Sequence, residues 1–283
     1  MIALLSTNFF RIRRDLLFWL ALCVCLVGGI AFGMGFRGTP AFDDFYAFPF
    51  FVAMGAFLSL FLGREYGDGT LRNKVTAGYR RGQIYLAYLL ASLAVGLLFL
   101  AAFLLPFVVM NAAALAPLGA KVLGPALVGM VLLCAALVAL FTAISCCVSL
   151  WVVGALVNLG LWFFLMFGAY QIEFALGQPA YVTEYYTDAQ GREYEGETTP
   201  NPHDLGGTLR VVAEGVDACL PNGQMNRIVS YLTTCLSLQE NGLDPEGAEL
   251  YQEVRFRDPL CALAVTAGVT AVGLTVFRKK DLK

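Results

Sequence analysis

Five stretches of this chain carry no Asp, Glu, Lys or Arg: Leu16 to Phe36, Phe45 to Leu62, Ile84 to Met110, Val122 to Ile172 and Leu260 to Phe277. Charges and glycines gather between them. A helix rises about 1.5 Å per residue, so roughly 20 apolar residues cross a hydrocarbon core about 30 Å thick. The fourth stretch as one helix would be about 75 Å long, so it predicts two crossings. The small, polar run Ser145-Cys146-Cys147-Val148-Ser149 is the natural break. Six transmembrane helices are therefore expected, over 16–36, 45–62, 84–110, 122–146, 150–170 and 260–277. Asp258 can cap the last of them, with Pro259 at its first position. The first stretch follows Arg11, Arg13 and Arg14 as a secretory signal would. It is long for one and no Ala-x-Ala site follows, so it reads as a retained span.

The basic residues orient this array. With the N-terminus inside, 12 of the 19 Lys and Arg fall on the cytoplasmic side, as do only Asp15, Glu65, Asp68 and Asp281 of the 21 acids. The positive-inside rule then puts both termini in the cytoplasm. Residues 1–15 mix Ile2, Leu4, Leu5, Phe9, Phe10 and Ile12 with three arginines. They read either as a helix lying in the inner interface or as a plain basic flank.

Two segments are left for polar work. Residues 172–257 face outside and hold most of the acids, fourteen against five basic residues from Glu173 to Arg257. The first half, with Gly177-Gln-Pro179, Thr198-Thr-Pro200 and Asn201-Pro202, reads as loop. The second contains two moderately apolar stretches, Leu205–Leu220 and Met225–Leu238, which predict short helices on or dipping into the outer leaflet. Cys219 and Cys235 would lie on these neighbouring helices on the oxidising side, where a disulfide between them can form. The acidic surface could attract a cationic ligand, or could simply be what the positive-inside bias leaves behind. The second segment is the cytoplasmic loop 63–83. Gly67 and Gly69 break the preceding span, Asp68 or Thr70 can cap a new helix from Thr70 to Ala77, and Gly78 can end it.

Composition agrees with the pattern. Charged residues are 14% and apolar ones 58%, with mean hydropathy +0.69, against about 25% and 45–50% in soluble domains. Six of the eight cysteines lie in apolar runs and there is one histidine, which argues against a histidine metal centre. No phosphate-binding P-loop, HExxH, Cys-x-x-Cys or serine-elbow motif occurs. Gly33-Met-Gly35-Phe-Arg-Gly38 fits the dinucleotide fingerprint but follows a span rather than a strand. Gly29-x-x-x-Gly33 reads as close helix packing. The six predicted spans contain no ionisable side chain except cysteine and tyrosine, so a proton- or ion-coupled pathway is not indicated. Asn158, the most polar mid-span residue, reads as a helix-to-helix hydrogen bond.

In loop 63–83, Glu65-Tyr66 followed by Gly69-Thr70-Leu71-Arg72-Asn73-Lys74, Ala77-Gly78-Tyr79-Arg80 and Ile84-Tyr85-Leu86-Ala87 resembles the ABC-2 type permease family of bacterial transporters. The Arg278 to Lys283 tail and the six-span layout are similar too. The resemblance implies an all-α membrane protein. It implies a coupling helix between spans 2 and 3 and re-entrant outer helices before span 6, to which the reading of residues 1–15 adds an N-terminal interfacial helix. It also implies the permease subunit of an exporter in the bacterial cytoplasmic membrane, not itself an enzyme and without a cofactor. The partners would be a cytosolic ATPase, a second permease subunit and lipid, with no nucleic acid. Glu65, Thr70, Leu71, Arg72, Asn73 and Lys74 would then take the ATPase-interface role. Two other classes are compatible with the residues: a non-transporting immunity or sensor protein that binds through its acidic outer segment, and a stand-alone channel or secondary transporter.

Overall fold

A computed structural model describes residues 1–36, 48–148, 150–187, 193–243 and 253–280. The chain is mostly helical. In order it runs α1 (Ile2–Arg14), α2 (Leu16–Phe36), α3 (Phe48–Gly67), α4 (Thr70–Thr76), α5 (Arg81–Met110), α6 (Ala112–Leu115), α7 (Gly119–Cys147) and α8 (Trp151–Leu176). Strands β1 (Tyr181–Thr187) and β2 (Glu193–Pro200) follow, then α9 (Gly207–Cys219), α10 (Pro221–Glu240) and α11 (Asp258–Lys279). Six helices are long and apolar enough to cross a membrane: α2, α3, α5, α7 with the short turns before it, α8 and α11. That is the build of a multi-pass membrane protein.

Helices do not stop where apolar runs stop. α3 continues past Leu62 through Arg64 and Glu65, and α5 starts at Arg81 instead of Ile84. Arg, Glu and Tyr sustain a helix well enough that only Gly67 and Gly69 end it. α7 closes at Cys147 and α8 opens at Trp151, so the long apolar block turns at the small polar run. Residues 45–47 of the second expected span, Ser149 at the turn and tail residues 281–283 lie outside the described residues.

The segment between α8 and α11 corrects one expectation. Residues 181–187 and 193–200, read as loop in an all-α protein, pair as two antiparallel strands. Their register runs from Tyr181 opposite Pro200 to Thr187 opposite Glu193, with an irregularity between Thr183 and Tyr185. The strand Tyr-Val-Thr-Glu-Tyr-Tyr-Thr is rich in aromatic and β-branched residues, which suit a pleated surface, and Thr183 and Thr198 hydroxyls pair across it at 2.9 Å. Beyond the strands, α9 and α10 are two helices joined at Leu220; α9 is short, but α10 runs 20 residues, longer than expected, and packs on α7 and α8.

In the bundle α2 packs along α5, α3 along α8, and α7 along α11. Phe18, Phe57 and Phe99 meet edge-on and stacked where α2, α3 and α5 cross. Trp162, buried on α8, stacks on Phe51 of α3. Two glycines set these distances. A Cβ at Gly29 would collide with the Phe103 carbonyl of α5, and one at Gly63 would lie 2.6 Å from Trp151 Cα. Backbones approach this closely only where the side chain is missing. The Gly29–Gly33 pair therefore packs helices.

Candidate functional site

Among the described residues, the buried Asp, Glu and Arg side chains gather at the two ends of the bundle. At the arginine-rich end the centre is Glu65, fully buried in the last turn of α3. Its Oε1 accepts from Arg11 of α1. Its Oε2 accepts from the Thr70 hydroxyl at 2.6 Å, Tyr88 OH at 2.9 Å and Lys74 Nζ at 3.0 Å. Lys74 also donates to Asn8 Oδ1 at 3.2 Å and lies 4.5 Å from the centroid of the Tyr88 ring. One carboxylate thus ties α1, α3, α4 and α5 together. Burial pushes the Lys74 ammonium below the ordinary lysine range, and the Glu65 charge opposes that push. A buried carboxylate is stable only when charge partners and donors satisfy it, and here four donors do so.

Local sequence explains how α4 comes to lie there. Gly69 precedes the helix with φ +65, which reverses the chain after α3, and Gly78 with φ +90 releases it. Neither Asp68 nor Thr70 supplies a side-chain cap; the Thr70 hydroxyl is spent on Glu65. Leu71 is 2% exposed and Val75 packs against the same core. The residues predicted for a partner interface therefore part company. Glu65, Leu71 and Lys74 face inward and Thr70 is half-buried, whereas Arg72 and Asn73 are exposed. α1 sits on this hub through Leu4, Asn8 and Ile12, one residue per turn, and presents Ile2, Phe9 and Phe10 outward. The sequence offered no sign of Arg11, Asn8 or Tyr88, which are distant in the chain from α4; only the i, i+4 spacing of Leu4, Asn8 and Ile12 could have hinted at the docked face.

The corner between α7 and α8 is capped from outside itself. Lys280 Nζ donates to the Cys147 carbonyl at 2.9 Å, Tyr66 OH donates to the Cys146 carbonyl, and Lys280 lies 4.2 Å from the centroid of the Tyr66 ring. The last carbonyls of a helix lack internal partners and carry its negative end, so a lysine there is stabilising.

At the opposite end Arg227 of α10 is the hub. It bonds Asp217 of α9, and its Nε reaches Asp258 of α11 at 2.9 and 3.2 Å. Asn226 donates to Glu173 of α8 at 2.6 Å. α9 and α10 are thereby fastened to α8 and α11. Burial raises the Asp217 carboxyl above its ordinary value, Arg227 opposes this, and the Glu173 and Asp258 charges add to it. Asp217 Oδ1 has no hydrogen-bond partner among the described residues. Cys219 and Cys235 are free thiols, Cys219 exposed and Cys235 buried.

Mid-bundle, Asn158 Nδ2 donates to Ser59 Oγ at 2.6 Å, Ser145 Oγ at 3.0 Å and the Phe141 carbonyl at 3.3 Å. It joins α3, α7 and α8 as a helix-to-helix bond. No group of three or more His, Cys, Asp or Glu able to hold a metal occurs among the described residues. No family model, curated protein or solved structure matches this chain.

Proposed function

We propose that this chain is the permease subunit of an ATP-binding cassette exporter, driven by a separate ATPase that grips α4. The observation supporting the reading is the Glu65 hub. α4 presents Arg72 and Asn73 outward while Thr70 and Lys74 behind them are bonded to the end of α3, with Tyr88 of α5 and Arg11 of α1 on the same carboxylate. A push on α4 is then felt by three other helices at once, because ion pairs and hydrogen bonds around one buried carboxylate have few ways to yield separately. In this reading α9 and α10, held by Arg227, gate the outer exit, and two permeases pair around the substrate path.

The test is co-expression with the ATPase encoded beside it and pull-down on this chain, with Arg72→Glu as the surface variant. Charge reversal at one exposed interfacial position is expected to weaken capture about tenfold or more. The reading fails if no ATPase associates with the wild-type chain, or if Arg72→Glu binds and exports as wild type does.

A further inference from the structure

Away from the Glu65 hub, the start of α5 and the end of α11 enclose a cleft of about 480 Å³ lined by Arg80, Arg81, Gly82, Gln83, Leu86 and Arg278. Three guanidiniums face it, and no carboxylate lines it among the described residues. The arginines are not placed by chance. Arg81 donates to the Arg278 carbonyl at 3.1 Å and to the Lys280 carbonyl, which joins the two helix ends. Arg278 lies across the first turn of α5, where a Cβ at Gly82 would sit 2.9 Å from its Nη2. Arg80 and Arg278 are exposed, whereas Leu86, four residues further into the span than Gly82, is half-buried.

We propose that this cleft binds the phosphate headgroup of an anionic phospholipid. Three like charges brought together with no carboxylate among the described lining residues repel one another, so an anion there relieves a cost the fold already bears. Guanidinium matches phosphate oxygens with two parallel donors. The depth fits a lipid better than a free ion. Both helices leave the apolar span at this level, where headgroups lie, and Leu86 continues the cleft toward the acyl region. A zwitterionic headgroup brings its own cation and is disfavoured beside three arginines. The inference does not depend on the partner ATPase.

The test uses the purified full chain in nanodiscs of phosphatidylcholine with rising phosphatidylglycerol, and native mass spectrometry to count retained lipid. Wild type is expected to keep one phosphatidylglycerol per chain. Arg80→Gln with Arg278→Gln, which leaves the bonding Arg81 in place, is expected to weaken retention about 30-fold, each basic residue near a membrane surface contributing about a fivefold factor. Arg13→Gln with Arg72→Gln removes equal charge from the same end but outside the cleft lining, and is expected to leave the single lipid retained, with a clearly smaller loss than the cleft pair. The paired lysine variant, Arg80→Lys with Arg278→Lys, is expected to retain most binding, which separates charge from misfolding. Equal loss in the two glutamine pairs, or a lysine pair as weak as the cleft glutamine pair at an unchanged melting temperature, overturns the site. Displacement of the lipid by excess inorganic phosphate overturns the lipid assignment. So does a cleft variant that keeps its lipid but loses an acidic protein partner.

Discussion

Glu65→Gln is the most informative single change. The amide keeps one acceptor oxygen and turns the other position into a donor. That donor must face either Arg11 or the group formed by Thr70, Lys74 and Tyr88, all of which donate. Removing one partner of a buried ion pair costs about 3–5 kcal/mol. The Arg11 side chain is 29% exposed and can turn to water, whereas that of Lys74 is 12% exposed and cannot readily do so. We therefore place Glu65→Gln near the low end, about 3 kcal/mol. Lys74→Met leaves Glu65 with Arg11, Thr70 and Tyr88 and should cost about 2 kcal/mol, the worth of one charged hydrogen bond. In the double variant the lost interaction is counted once, so the two effects should fall short of additivity by about 2 kcal/mol. Unfolding in mixed micelles by rising SDS gives the free energies, and trypsin cleavage after Arg72 reports whether α4 has come loose. If the single effects add to within about 0.5 kcal/mol, Lys74 and Glu65 are not coupled and the hub is not a unit.

Arg227→Met should leave Asp217 buried without its cation and Asp258 with only Arg257, at 3.7 Å, and destabilise this end of the bundle by about 3–5 kcal/mol, read as faster proteolysis within α9 and α10. Asn158→Leu should cost about 1 kcal/mol in the same mixed-micelle assay, since hydrogen bonds between membrane helices average about 0.6 kcal/mol; no loss would mean that Ser59 and Ser145 find other partners. Asp217 binds its proton more tightly folded than unfolded, so its contribution to stability is present at low pH and is lost as pH rises through its raised value. Across the acidic range above 3.8, wild type should therefore gain melting temperature relative to Asp217→Asn as pH falls; parallel curves would refute the raised carboxyl.

How much of this could be read beforehand varies with the range of the interaction. The six long helices follow from the length of apolar runs alone, and Gly29 with Gly33 announced a close approach. The hub did not. Glu65 and Lys74 are charged residues in a glycine-punctuated segment, and nothing local distinguishes a carboxylate that α3 carries inward from one on a solvated loop. Their burial depends on Arg11 and Asn8, which arrive from α1, 54 and 66 residues away in the contacts they make. The strand pair was missed for another reason: Glu184 and the acids of β2 gave its strands the polarity of a loop. Tyr181, Tyr185 and Tyr186, with Asp188 and Gly191 between the two runs, were the strand-and-turn signal available.

The turn between α7 and α8 contains no charge of its own to hold it on one side of a membrane. Its lysine comes from residue 280, 133 positions after the carbonyl it caps. During synthesis the two helices of that long apolar block must therefore enter and remain in the bilayer with only the Tyr66 hydroxyl to hold their shared corner. Only when α11 has been laid down can Lys280 close it. The corner's placement is a late event in the birth of the protein, and a chain stalled before α11 would keep a hairpin of α7 and α8 that lacks this fastening.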